Sequence, residues 1–250
     1  MSAYQSLFDP SAEQLISVVV ERTLASILHA WRESRDGHIV ITGGRTGLAI
    51  AQTLDVNLFR LLNEKGSDLD EALTLHIWFS DERFVGFDDV DRSDTTLVAA
   101  FTRSLNRLTF HRVAAPASAS KIAVGELQAA ADLYSAALDQ ALPDTRRFDA
   151  VIMSVGEDGH IASLFPGHTD ELNSTKSAVA VDNSPKPPAQ RVSIGTARLA
   201  RACAIYIFAV GEGKRAALAD LLDGGQQSPI SMLRENSPAT QIVIATDIKI

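Results

Sequence analysis

The run Val155-Gly156-Glu157-Asp158-Gly159-His160 concentrates two glycines, two carboxylates and one histidine. It follows Ala150-Val151-Ile152-Met153, a continuous apolar run with the form of a buried strand, and precedes a short apolar stretch stopped by Pro166 and Gly167. These side chains therefore fall where a strand ends, which is where open α/β sheets bind ligands. A histidine so placed titrates near neutral pH, and Asp158 is close enough in sequence to orient it. The pattern predicts a general base at His160. The alternative is an ordinary strand-to-helix turn with a histidine on the surface.

Three more turns share that position. Gly43-Gly44-Arg45-Thr46-Gly47 lies between an apolar strand, residues 38–42, and a helix running from about Leu48 through Leu62. Glycines let backbone approach a ligand, and a helix start offers free N–H groups to a phosphate. The turn is neither a G-x-G-x-x-G fingerprint nor a Walker loop. Asp81-Glu82-Arg83 ends the strand Leu75–Ser80; its bland reading is a solvated charge cluster. Gly211-Glu212-Gly213-Lys214 ends the strongly apolar strand Ala204–Val210. A lysine near a helix start opposes the helix dipole, and a bound phosphate would explain it. Arg191 follows the proline-rich Ser184-Pro185-Lys186-Pro187-Pro188 and is a further candidate cation. Each turn alone is unremarkable; four at strand ends point to an anionic small molecule. No metal is expected, because the spacing of Glu157, Asp158, His160 and His168 matches neither H-E-x-x-H nor a deaminase pattern. No G-x-S-x-G elbow surrounds Ser154 or Ser163, which argues against a serine triad.

The elements that must carry these turns alternate. Apolar residues at Ile16, Val20, Leu24, Ile27 and Trp31 mark an amphipathic helix before the first glycine turn. Ser93 or Asp94 is expected to cap a helix carrying Leu97, Val98, Phe101 and Leu105, and an Ala-rich helix spans about Ile122 to Leu142. Short strands are expected at Val179–Val181 and Arg191–Ile194, and Gln241–Ala245 closes the sheet. Several strands are continuous apolar runs, so the fold expected is a mostly parallel α/β sheet with helices on both faces, in one domain over residues 1–250.

The chain has 250 residues, 46% of them hydrophobic and 22% charged, enough for a sizeable core without wholesale disorder. A net charge of −8 argues against a nucleic-acid surface. The single Cys203, set among apolar neighbours, excludes an internal disulfide and reads as a buried strand residue. The first ten residues do not form a signal peptide, and no apolar run approaches the ~20 residues of a membrane span, so a cytoplasmic protein is expected.

Together the motifs Thr42-Gly43-Gly44-x-Thr46, Trp78-Phe79-x-Asp81-Glu82-Arg83-x-Val85, Gly156-Glu157-Asp158-Gly159-His160-x-Ala162-Ser163-Leu164-Phe165-Pro166 and Ser184-Pro185-Lys186-Pro187-Pro188 resemble the 6-phosphogluconolactonase family. The resemblance runs from the first helix to the helix after Lys214, and the His160 block is its most specific part. It implies a modified Rossmann-like sheet and cofactor-free hydrolysis of 6-phospho-D-glucono-1,5-lactone to 6-phosphogluconate in the oxidative pentose phosphate pathway. It implies no nucleic-acid or membrane partner, and a monomer. By the resemblance His160 is catalytic, with Asp158 orienting it or completing its turn. Substrate and phosphate contacts fall on Gly43, Gly44, Arg45, Thr46, Asp81, Arg83, Lys186, Arg191 and Lys214. Arg45 stands where the family commonly has a small residue, and either adds a cation at the phosphate or points to solvent. Asp94 stands where asparagine is frequent. The alternatives are glucosamine-6-phosphate deaminase, which typically carries Asp-Glu-Tyr where this chain has Asp81-Glu82-Arg83, and a non-catalytic sugar-phosphate sensor.

Overall fold

The computed structural model describes residues 5–65, 70–118, 122–223, 228–237 and 240–249. In chain order its strands are β1 (Gln5–Phe8), β2 (Gly37–Ile41), β3 (Leu75–Phe79), β4 (Asp81–Arg83), β5 (Leu108–His111), β6 (Ala150–Ser154), β7 (Ala178–Val181), β8 (Arg191–Ile194), β9 (Ala204–Ala209) and β10 (Gln241–Thr246). Its helices are α1 (Ala12–Arg32), α2 (Gly44–Lys65), α3 (Ser93–Ala100), α4 (Glu126–Ala141), α5 (Thr169–Leu172), α6 (Thr196–Leu199), α7 (Arg215–Asp223) and α8 (Pro229–Glu235).

Seven strands form one parallel sheet in the order β1-β10-β9-β6-β2-β3-β5. Its central strands are apolar on both faces because both are covered. Ile39 and Ile41 of β2 pack with Leu15, Leu54 and Leu58 of α1 and α2. Val40 between them joins the opposite layer with Leu138 of α4, Leu218 of α7 and Leu233 of α8. From β2 the chain adds β3 and β5 on one side, while β6, β9 and β10 build outward on the other. The strand order reverses between β2 and β6, and at such a switch point the loops leaving the carboxyl ends diverge and open a crevice.

A second sheet frames that crevice. Ser80 is the pivot: its N–H donates to Ile41 O of the large sheet (3.0 Å), and its carbonyl accepts from Ile194 N of the small one (2.9 Å). The chain then runs into β4, which pairs antiparallel with β8, and β8 with β7.

The structure departs from the sequence reading at several points. Asp81–Arg83 is a strand of its own, and Glu82 within it is fully buried, because alternation turns it away from its two neighbours. Gln241–Thr246 is an inner strand, and β1 forms the edge; four residues with three exposed give no periodic signal. Helix α2 begins inside the glycine turn at Gly44, and α4 only after Gly125, whose φ of 83° interrupts the expected helix. Helix α3 stops at Ala100, leaving Leu105 exposed in a 3-10 turn. Cys203 is exposed, since β9 begins one residue after it.

Toward the β5 edge four rings stack: His38 on His76 (centroids 4.4 Å apart), His76 against His111 (5.1 Å) and His111 on Trp78 (3.6 Å). His76 Nδ1 and His111 Nε2 share a hydrogen bond of 2.8 Å. Burial lowers the pKa of His38 to about 3 and of His111 to about 4.

Candidate active site

At the carboxyl end of β6 the backbone closes a tight loop. Gly156 N donates to His160 O (2.7 Å) and Gly159 N to Gly156 O (3.1 Å), with Gly159 at φ 81°. Gly156 is required by contact: a Cβ there would lie 1.9 Å from His160 Nδ1. The imidazole is thus pressed against bare backbone on one side and rests on the Phe165 ring at 4.9 Å on another. Its Nδ1 is hydrogen-bonded to Asp158 Oδ1, and Lys186 Nζ lies 3.5 Å from the same nitrogen. No protein partner engages Nε2 among the described residues. Burial lowers the His160 pKa, against the opposing pull of Asp158, and Lys186 lowers it further. The ring is therefore neutral at pH 7. For Asp158 burial acts upward, but the hydrogen bond and charge of His160 outweigh it and hold the carboxyl below its usual range.

His160 opens into a cavity of about 400 Å³ at the switch point. Thr42, Gly43 and Gly44 line it from the end of β2, and Ser154, Val155 and Gly156 from β6. The small sheet contributes Asp81, Arg83 and Arg191, the loop between β7 and β8 adds Lys186 and Pro187, and the turn after β9 adds Lys214. Four cations thus face a single carboxylate, Asp81. That carboxylate is held in place, accepting from Ser80 Oγ (2.8 Å) and Ser163 Oγ (2.6 Å).

The cations differ in what their donors do. Arg191 is buried and spends its guanidinium on its own loop, donating to Lys186 O (2.8 Å), Pro187 O (3.3 Å) and Pro188 O (3.1 Å). It brings charge to the cavity and stitches the segment carrying Lys186 in place. Arg83 Nη1 donates to Asp91 O (2.6 Å) and Ser93 Oγ (3.2 Å). The Lys214 side chain has no protein partner among the described residues.

Of the residues singled out from sequence, Gly43, Gly44, Asp81, Arg83, His160, Lys186, Arg191 and Lys214 meet in this cavity. Asp158 stands behind His160 rather than in the wall. Arg45 is exposed and lines a neighbouring, more apolar cavity with Leu48, Val90 and Leu97, while Thr46 lines neither. Sequence reasoning missed Ser93, Ser154 and Ala162. Ser93 reaches the wall from the start of α3, close enough that a Cβ on Gly43 would meet its Oγ at 2.7 Å. Ala162 lines the cavity at φ 50°, a left-handed conformation with no signal in an alanine. Among the described residues no group of three or more His, Cys, Asp or Glu could hold a metal ion, and no helix is long and apolar enough to cross a membrane.

Fold and cavity define an α/β protein with a cation-lined cavity beside a histidine at the carboxyl ends of its strands, the place where such sheets bind ligands. The profile of the glucosamine-6-phosphate isomerases/6-phosphogluconolactonase family matches residues 10–243, and the chain belongs to that family. It is 31% identical to a 6-phosphogluconolactonase of Mycobacterium tuberculosis over 240 residues, covering 93% of this chain and 90% of that protein. It is 30% identical over 217 residues to one from Streptomyces coelicolor, covering 85% and 80%. In fold it is similar to the crystal structure of 6-phosphogluconolactonase from Leishmania guyanensis, with a TM-score of 0.80 over 98% of this chain and 96% of that one, at 19% identity.

Proposed function

We propose that this chain is a 6-phosphogluconolactonase, hydrolysing 6-phospho-D-glucono-1,5-lactone to 6-phosphogluconate. The observation that carries the reading is the cavity holding His160, with Nδ1 occupied and Nε2 without a protein partner among the described residues, beside Arg83, Lys186, Arg191 and Lys214. Asp158 accepts the Nδ1 proton and so fixes the tautomer in which Nε2 is the base. Nε2 takes a proton from water as that water adds to the lactone carbonyl carbon. When the tetrahedral adduct collapses, the bond to the ring oxygen breaks and the imidazolium returns its proton to that oxygen. A lactone is electrophilic enough that no covalent nucleophile is needed, and a positioned base contributes typically about 10²–10⁴-fold.

Arg83, Arg191 and Lys214, with the amides of the Gly43–Gly44 turn, hold the phosphate, and Arg191 also fixes the loop that presents Lys186. Anchoring the phosphate turns a two-body encounter into a positioned one. Arg45 and Thr46 lie outside this contact set. As part of this reading we propose a monomeric, single-domain enzyme of the cytoplasm.

The test is hydrolysis of freshly generated lactone, corrected for the spontaneous rate, by the wild type and by His160→Ala. Near-background rates in the variant with 6-phosphogluconate still bound are expected. Equal rates would remove His160 from the mechanism. A wild type that binds 6-phosphogluconate without turnover would return the chain to the sensor reading.

A further inference from the structure

Glu82 is fully buried, and no salt bridge reaches it among the described residues. Its two oxygens instead accept three backbone N–H groups. Oε1 takes those of Arg83 (2.8 Å) and Ser93 (3.0 Å), and Oε2 that of Asp94 (2.6 Å). Ser93 and Asp94 open α3, where the first amides of a helix need outside partners. The residue before them, Arg92, offers no side-chain cap. The carboxylate of a strand in the small sheet therefore caps a helix of another layer. On either side of that clamp stand two residues of the cavity wall, Arg83 and Ser93, themselves joined through Arg83 Nη1 and Ser93 Oγ (3.2 Å).

We propose that Glu82, as a carboxylate, is a positioning residue that pins the start of α3 to β4 and so sets Arg83 and Ser93 in register for the ligand's phosphate. The assignment of phosphate to Arg83 rests on the function proposed above; the clamp itself does not. Protonation or neutral replacement of Glu82 weakens the clamp. A glutamine keeps one acceptor but turns an NH₂ group toward one of the three amides, setting donor against donor. The surroundings make ionisation sensitive to pH. Burial pushes the Glu82 carboxyl up to about 7, and Asp94 on α3 adds to that rise while the three amides oppose it. Asp94 is itself engaged by Arg92 and Arg112. The other titratable groups that act on Glu82 are Arg191 on β8 and Tyr134 on α4, while Asp81 and Arg83 on its own strand turn to the opposite face.

Two measurements test this. In the wild type, the amide resonances of Ser93 and Asp94 are expected to titrate together with a midpoint near 7. Ser93 and Asp94 resonances that fail to shift together anywhere between about pH 3 and about pH 8.5, the range over which a carboxyl takes up its proton, would overturn the clamp whatever the enzyme's activity. In kinetics, Glu82→Gln is expected to raise KM for the lactone about tenfold, the worth of one lost charge-assisted hydrogen bond, with kcat within about threefold of wild type. Binding of 6-phosphogluconate by the wild type should weaken from about pH 8.5 to about pH 6 more steeply than binding by the variant. A Glu82→Gln protein with wild-type KM and wild-type pH dependence of binding would overturn the positioning role. Should that variant not fold, the amide titration of the wild type still decides.

Discussion

At the scale of single residues, His160 is held by opposing influences that can be separated by substitution. Asp158 raises its pKa, and burial and Lys186 lower it. The base works when neutral, so kcat/KM falls as pH drops through that pKa, below the usual 6.5. Asp158→Asn removes a partner of the imidazolium, so the acid limb of the pH–rate profile should move to lower pH while kcat drops about tenfold or more with the lost orientation. Lys186→Met removes a like charge and should move the same limb to higher pH. Limbs moving in the same direction would show that the two groups do not act through this ring. Gly156→Ala places a Cβ where His160 Nδ1 now sits, and displacing the ring should cost about 10²-fold or more in kcat. Gly213→Ala meets only the exposed side chain of Glu157, which can swing aside, and near wild-type stability is expected in thermal melts. These residues were legible in the sequence because the His160 loop is contiguous. Ser93 was legible only as a helix cap; the structure makes Arg92 the cap position, and Ser93 reaches the wall with its N–H held by Glu82, eleven residues earlier.

At the scale of elements, the parallel sheet was legible, whereas of the small sheet only the strands β7 and β8 were, without β4 or their pairing. Strands such as β6 and β9 announce themselves as unbroken apolar runs that end in glycine turns. Strands β4, β7 and β8 have three or four residues each, and β4 meets β8 across more than a hundred residues, Asp81 opposite Ser193. No local pattern encodes such a pairing, yet it brings Arg83 and Arg191 to one cavity. The stack at the other end of β3 carries its own prediction. His111 titrates at about 4 in the fold against the usual 6.5 when unfolded. Between those values the unfolded chain binds the extra proton, so the contribution of His111 is complete above 6.5 and is lost as pH falls toward 4. His111→Gln should flatten the pH dependence of unfolding free energy in that window by about 1.4 kcal/mol per pH unit. An unchanged slope in urea titrations would show that His111 is not buried in its neutral form.

At the scale of the whole molecule, a chain of net charge −8 gathers four cations around one cavity drawn from strands far apart in sequence. Composition forecast an acidic surface and left the cationic pocket to the fold. On the proposed monomeric reading, specific activity should stay constant on serial dilution; a loss on dilution that sedimentation matches to dissociation would require a second subunit. Within that pocket Arg83 and Arg191 stand directly opposite each other in the β4–β8 register, and like charges so placed repel. On the proposed reading, the phosphate that bridges this wall acts as the missing counterion of the native sheet, and whatever binds only the native state draws the chain away from unfolding. Such a protein would be sturdiest while its pathway is running and most exposed to cellular proteases when sugar phosphate runs short, so that supply of substrate governs how long the catalyst lasts.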